Sequence, residues 1–247
     1  KFNGSDIVKK NNKIWQQELD ELTYNQKSTK DGYIMPKRAL KEISDFIYQL
    51  PYPVITTDIG NCSSQANSFM KFENDRSYLC AGLFGSCGYS VPAAIGAKIA
   101  MPGRDVFSLT GDGAFAMQSL GELLTLKREK IPITMIVMRN EYWFAEALNQ
   151  RLYFGERYNG TQLDRTPSFV GIAKSMDIEG IEVRDYKDIN KSLKKAVLNQ
   201  RKGISTLIEI YVEDETTPIF RSDAMSLPYR FLPKYKHLSI AKEPPKL

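Results

Sequence analysis

Hydrophobic positions along the chain switch period in a regular way. Short β-branched runs stand at Val54–Thr57, Val106–Thr110, Ile133–Met138, Ile181–Val183 and Thr206–Val212. Between them lie helical stretches near 89–101, 117–129, 143–150, 168–176 and 187–201. Strands alternating with helices predict an α/β domain, a parallel sheet with helices on both faces. The runs Ile133–Met138 and Leu207–Ile210 are apolar enough to be strands buried on both sides. Upstream, Ile14, Trp15, Leu19 and Leu22 recur at helical spacing within 11–26, and Pro36 opens an amphipathic helix through Leu40, Ile43, Phe46, Ile47 and Leu50. Beyond Glu213 the pattern dissolves into an arm containing Pro218, Pro228, Pro233, Pro244 and Pro245. The expected organisation is a linker helix from a preceding domain at 1–33, one sheet domain at 34–212, and a C-terminal arm at 213–247.

Composition narrows the class. The 247 residues are 42% hydrophobic and 26% charged, ordinary for a globular protein. No stretch approaches the ~20 apolar residues of a membrane span, so an integral membrane protein is not expected. The net charge of +5 is mild and spread along the chain, without the basic stripe and interleaved aromatics of a nucleic-acid binder. Cys62, Cys80 and Cys87 are an odd number with no C-x-x-C pair, which disfavours a disulfide scaffold or cysteine zinc site and points to a reducing cytoplasm. His237 is the only histidine, so histidine-rich metal sites are excluded and a nucleophilic triad would depend on that one base. The opening Lys1-Phe2-Asn3-Gly4-Ser5, with neither a methionine nor an apolar signal core, reads as the start of a fragment.

In a parallel sheet, ligands bind at the carboxyl ends of the strands. One strand runs into Gly111-Asp112-Gly113-Ala114-Phe115. Glycines let backbone approach a ligand, a helix starting near Ala116 would aim its free N–H groups at a phosphate, and Asp112 offers a hard oxygen for Mg²⁺. A tight turn with a capping aspartate explains Gly-Asp-Gly equally well. The weight comes from the 26 residues, 114 to 139, that separate Gly113 from Asn140: one amphipathic helix and one apolar strand. That crossover sets Asn140 at the end of the neighbouring strand, beside Asp112, where both oxygens can meet one diphosphate-bound Mg²⁺.

Gly-Asp-Gly, a helix and a strand, then Asn resembles the cofactor motif of thiamine-diphosphate-dependent enzymes. The usual ending there is Asn-Asn; here it is Arg139-Asn140, and the asparagine expected to bind metal is the one retained. The resemblance implies Asp112, Asn140 and the Tyr142 carbonyl as metal ligands, and Gly111, Gly113 and Ala114 as cofactor contacts. Thr57-Asp58-Ile59-Gly60-Asn61-Cys62-Ser63 looks like the family's first phosphate loop, with Asn61 and Cys62 as contacts. Gly85-Ser86-Cys87-Gly88-Tyr89, followed by the small residues from Val91 to Ala97, resembles the loop and helix that receive the aminopyrimidine ring, although a tight strand–helix junction accounts for it as well.

Further blocks, among them Trp15-x-x-Glu18-Leu19-Asp20, Ala145-Glu146-x-x-Asn149-Gln150, Phe169–Lys174, Phe220-Arg221-x-Asp223-Ala224 and Arg230–Lys236, narrow the resemblance to the C-terminal part of the sulfoacetaldehyde acetyltransferases. It implies conversion of sulfoacetaldehyde and phosphate to acetyl phosphate and sulfite, with the cofactor as electron sink. Arg151, Arg157 and Arg221 are candidates for the sulfonate and phosphate, with solvated arginines the plainer account of each. Trp143 and Phe144 could wall the substrate pocket or simply pack, and Glu146 with Asn149 share a helical face that could turn to the cofactor or to solvent. The activating glutamate of this family sits on a pyrimidine-binding domain that these residues do not contain, so the resemblance implies a partner domain, in cis or on another subunit, a homodimer or homotetramer when complete, and weak cofactor binding by this chain alone. An acetolactate-synthase-like enzyme, a 2-oxoacid decarboxylase and a non-catalytic assembly subunit are the alternatives. A nicotinamide dehydrogenase is disfavoured because no G-x-G-x-x-G follows an early strand.

Overall fold

The computed structural model describes residues 28–214 apart from residues 73, 164 and 165, with the isolated positions 6, 10, 13 and 17. Apart from Lys13 and Gln17, which are helical, the expected linker helix at 11–26 lies outside the described residues, as does the arm beyond Asp214 with Arg221 and His237.

Helix α1 (Pro36–Ile47) begins with proline at its first turn and buries Ala39, Leu40, Ile43, Phe46 and Ile47, a stripe at the spacing of one helical face. Strand β1 (Val54–Thr57) follows, then α2 (Asn61–Phe69), the short β2 (Tyr78–Cys80) and α3 (Ser90–Ala100). Strand β3 (Val106–Gly111) runs directly into a helical turn at Asp112–Ala114 and a π-helical turn at Phe115–Ser119, and α4 (Glu122–Glu129) completes the crossover to β4 (Thr134–Arg139). The last elements among the described residues are α5 (Phe144–Tyr153), α6 (Phe169–Ser175), β5 (Glu179–Val183), α7 (Lys187–Arg201) and β6 (Thr206–Tyr211).

The six strands form one sheet in the order β2-β1-β3-β4-β6-β5, and every pairing is parallel. Side chains alternate between its faces, as the strand period of two requires. Ile55, Phe107, Leu109, Ile136, Met138, Ile208 and Ile210 face α1, α2 and α7. Val54, Val106, Met135, Val137 and Leu207 face α3, α4 and α6. The fold is the α/β arrangement that the alternating pattern predicts, with a core on each side of a sheet buried through its centre.

Small side chains bring α3 onto the sheet. Ala94 is fully buried on it, and the Thr56 hydroxyl reaches the Ser90 carbonyl at 2.6 Å. The chain leaves β1 toward β2 on one side and continues through β3 on the other, so the strand order reverses between β1 and β3. In open α/β sheets that reversal opens a crevice at the carboxyl edge.

Candidate functional site

A cavity of about 350 Å³ occupies this crevice. Asn61, Cys62, Gly85, Cys87, Gly111, Asp112, Gly113, Ala114, Asn140 and Tyr142 all line it; of the residues expected to hold cofactor or metal, Ser86, half-buried in the loop between Gly85 and Cys87, stands off its wall. The sheet register explains how distant segments meet. Gly111 pairs with Met138 across β3 and β4, so Asp112 and Asn140 are each delivered just past the ends of adjacent strands.

The metal loop is held by its own backbone. Asp112 is 3% exposed; its Oδ1 accepts the Gly113 N–H at 2.9 Å and its Oδ2 accepts the Glu141 N–H at 2.7 Å. Each oxygen keeps a further lone pair. Burial pushes its carboxyl up to about 7, against the lowering effect of these backbone bonds and of nearby Arg139. A carboxylate that resists ionising in the bare protein is one for which a cation is the missing compensation. The Asn140 Oδ1 accepts the Tyr142 N–H at 3.2 Å. Residues 141–143 are pinned by an antiparallel bridge, in which Leu163 N–H donates to the Glu141 carbonyl and Trp143 N–H to the Thr161 carbonyl, both at 2.8 Å. Neither bond uses the carbonyl of Tyr142. Among the described residues no three of His, Cys, Asp and Glu come together. An ion at this loop would therefore draw on one carboxylate, an amide oxygen and a carbonyl, a hard oxygen set suited to Mg²⁺.

Across the cavity, α2 begins at Asn61 after Gly60, whose φ of +100° excludes most side chains. Both polar atoms of the Asn61 side chain are buried without a hydrogen-bond partner. Buried amides are nearly always satisfied, so this one is held for something that enters the cavity. The residues present thus fit a Mg²⁺-bound diphosphate: hard oxygens on one wall, an unpartnered amide and a helix N-terminus on the other.

Some contributors were not singled out in the sequence. Asp58, fully buried at the end of β1, accepts the Tyr89 N–H at 2.9 Å on Oδ1, and the hydroxyls of Ser90 at 2.8 Å and Thr110 at 2.9 Å on Oδ2. One carboxylate thereby ties the 85–90 loop to the strand that carries Asp112. Gly88 has φ of +78°, and a Cβ there would lie 2.3 Å from Gln118 Cβ, so only glycine fits beside the π-helical turn. Of the residues the sequence did offer as pocket candidates, Trp143 packs its indole on Gly113 and lines the cavity with Phe144 and Glu146. The first helical turn after β3 begins at Asp112 itself, ahead of the expected start near Ala116, which falls inside the π-helical turn.

Cysteine chemistry is muted here. All three cysteines are free. Burial first, then the charges of Asp58 and Asp112, hold the Cys62 thiol above its ordinary range; burial does the same for Cys87, with Asp58 and Glu146 adding to it. Among the described residues the cavity wall carries no lysine, arginine or histidine. Arg151 lies over the Phe144 ring at 5.6 Å, and Arg157 is exposed and bonded to the Phe154 carbonyl. Asn149 reaches Glu146 at 3.5 Å on an exposed face.

Fold, strand-end loops and oxygen donors define a thiamine-diphosphate-binding domain, and the family described as thiamine pyrophosphate enzyme, C-terminal TPP binding domain, matches residues 58–210: the chain belongs to it. It is 39% identical over 237 residues to the sulfoacetaldehyde acetyltransferase of Castellaniella defragrans, covering 90% of this chain and 38% of that protein. The enzyme of the same name from Alcaligenes xylosoxydans xylosoxydans is 36% identical over 249 residues, 94% of this chain and 40% of the relative. A probable acetolactate synthase large subunit of Methanocaldococcus jannaschii is 32% identical over 195 residues, 77% of this chain and 33% of the relative. The chain thus spans only about two fifths of the length of the curated relatives it matches.

Proposed function

We propose that this chain is the diphosphate-binding part of a thiamine-diphosphate- and Mg²⁺-dependent acyltransferase that converts sulfoacetaldehyde and phosphate to acetyl phosphate and sulfite. The observation that carries the cofactor reading is the delivery of Asp112 and Asn140 to one cavity by adjacent paired strands, opposite the unpartnered Asn61 amide. The higher identity to sulfoacetaldehyde acetyltransferases than to acetolactate synthases carries the substrate reading.

Asp112, Asn140 and the Tyr142 carbonyl would hold the Mg²⁺, and the α2 N-terminus with Asn61 would receive the diphosphate. Gly85 and Cys87, which line the cavity, would border the ring, and Ser86 lies in the same loop. Bound there, the cofactor supplies an electron sink for carbon–carbon or carbon–sulfur cleavage. The chain's own residues then anchor, orient and exclude water: Trp143 and Phe144 present apolar surface beside the metal loop, and Glu146 presents a carboxylate at the cavity wall. Because that wall has no cation among the described residues, the contacts for sulfonate and phosphate fall to other parts of the complete protein, along with the activating glutamate. A pyrimidine-binding domain on the same polypeptide or a second subunit, a homodimer or homotetramer, and a cytoplasmic setting complete the proposal.

The test is made on the complete polypeptide. Sulfite release from sulfoacetaldehyde in the presence of phosphate is the expected result. Carbon dioxide release from pyruvate without sulfite production would assign the acetolactate-synthase-like alternative. If Asp112→Ala left every function of the protein intact, the chain would be an assembly subunit and the enzyme reading would be lost.

A further inference from the structure

Glu141 sits between two of the proposed metal ligands yet forms no part of the cavity wall. Its φ is +65°, a left-handed conformation unusual for a residue with a side chain. The turn sends its N–H back to Asp112 Oδ2 and returns the next residue, Tyr142, to the cavity. Its carboxylate is gripped from outside. Oε1 lies 3.3 Å from Arg139 Nη2, Oε2 accepts the Tyr33 hydroxyl at 3.0 Å, and Lys30 Nζ stands 3.9 Å away. Tyr33 and Lys30 belong to the segment that leads into the domain, and this segment is itself fastened to the sheet edge. Glu213 accepts from the Ser28 hydroxyl and from the Thr29 and Lys30 N–H groups, and the Tyr33 ring meets Tyr211 edge-on at 5.7 Å.

We propose that Glu141 is a positioning residue for the metal loop, anchored by the entry segment 28–33, so that docking of this segment sets the affinity of the site for Mg²⁺. The inference rests on the cofactor reading and deepens it. It follows from the chain of contacts: Tyr33 and Arg139 fix the Glu141 carboxylate, the fixed side chain holds the left-handed turn, and the turn aims one N–H at Asp112 with Asn140 and Tyr142 as its sequence neighbours. Groups that orient a ligand are often decisive for metal affinity.

Tyr33→Phe and Glu141→Gly separate this from a merely structural role. Phenylalanine keeps the ring packing on Tyr211 and removes only the hydroxyl. Glycine adopts the left-handed turn without strain but has no latch. Two readouts are taken on the complete polypeptide: hydrogen exchange of the residue-141 amide without metal, and the Mg²⁺ concentration for half-saturation with thiamine diphosphate, followed by tryptophan fluorescence. Both variants should expose the amide and raise the Mg²⁺ requirement at least about tenfold, the effect of one lost hydrogen bond to a charged group, with little change in melting temperature. Unchanged exchange and unchanged Mg²⁺ requirement, while Asp112→Ala abolishes the response, would overturn the latch and leave the cofactor reading standing. If the unaltered complete polypeptide shows no Mg²⁺- and cofactor-dependent response, the cofactor reading fails with the affinity claim, and unchanged amide exchange in Tyr33→Phe would then dispose of the latch as well.

Discussion

Arg139 stands where relatives of this cofactor family usually carry asparagine, and its buried ion pair with Glu209 offers a quantitative test of how the metal loop is supported. The two side chains are 6% and 0% exposed, with Nη1 and Oε1 2.7 Å apart. Arg139 also donates to the Pro167 and Thr166 carbonyls at 3.2 and 2.7 Å, and the second Glu209 oxygen accepts from the Ser168 hydroxyl and the Val170 N–H at 3.2 and 3.1 Å, at the start of α6. Glu209→Ala therefore takes from a buried guanidinium its shorter and fully buried ion pair, leaving only Glu141 at 3.3 Å, and frees the N-terminus of a helix. Breaking a buried pair from one side costs about 3–5 kcal/mol, a large share of a domain's roughly 5–15 kcal/mol. For a domain of this size that lowers the melting temperature by on the order of 10 °C. Urea denaturation and calorimetric melting of the variant measure it. The double variant Arg139→Met/Glu209→Leu should recover most of the loss, since removing both charges also removes their desolvation. A single variant within about 1 kcal/mol of the parent would refute the reasoning, because a loss that small is typical of solvent-exposed pairs.

Two other outcomes follow from the site. Gly88→Ala should cost at least about 2 kcal/mol, from a Cβ placed at positive φ and from overlap with Gln118; Gln118→Gly should recover only the overlap, as read by chemical denaturation of the double variant. Because the Asp112 carboxyl is held up to about 7 in the folded chain, against an unfolded value of 3.8, the metal-free fold binds more protons than the unfolded chain between those values. This group's contribution to stability is then complete at low pH and is lost as pH rises through about 7. Mg²⁺ must displace that proton, so metal affinity should fall about tenfold per pH unit below 7, a dependence that proton release measured in two buffers would detect and that Asp112→Asn would remove from the melting profile.

Much of this was legible in the chain. The β-branched runs marked β1, β3, β4 and β6 closely because those strands are buried on both faces and must be apolar throughout. The three-residue edge strand Tyr78–Cys80 gave no such signal: it is partly exposed, lacks a β-branched residue, and is held by pairing with β1 and by the Thr57–Tyr78 hydroxyl contact at 2.8 Å. The strand-end residues Asp112 and Asn140 were readable because they follow strands whose order fixes their adjacency. Asp58, Glu141 and Tyr33 were not, since their roles depend on contacts that no local period encodes, the Asp58–Ser90 bond across 32 positions and the Tyr33–Glu141 bond across 108. The π-helical turn at Phe115–Ser119 likewise has no sequence period of its own; its Gln118 passes closely against Gly88.

The central claim is that Asp112, Asn140 and the Tyr142 carbonyl grip a single divalent ion that carries a diphosphate. Crystals of the chain grown with thiamine diphosphate and Mn²⁺ in place of Mg²⁺, with data collected at the manganese absorption edge, test it without depending on tight binding. The account predicts one anomalous peak within about 2.2 Å of an Asp112 oxygen, the Asn140 Oδ1 and the Tyr142 carbonyl, with the diphosphate against the start of α2. A peak away from these oxygens, or bound cofactor elsewhere on the sheet edge, would contradict it.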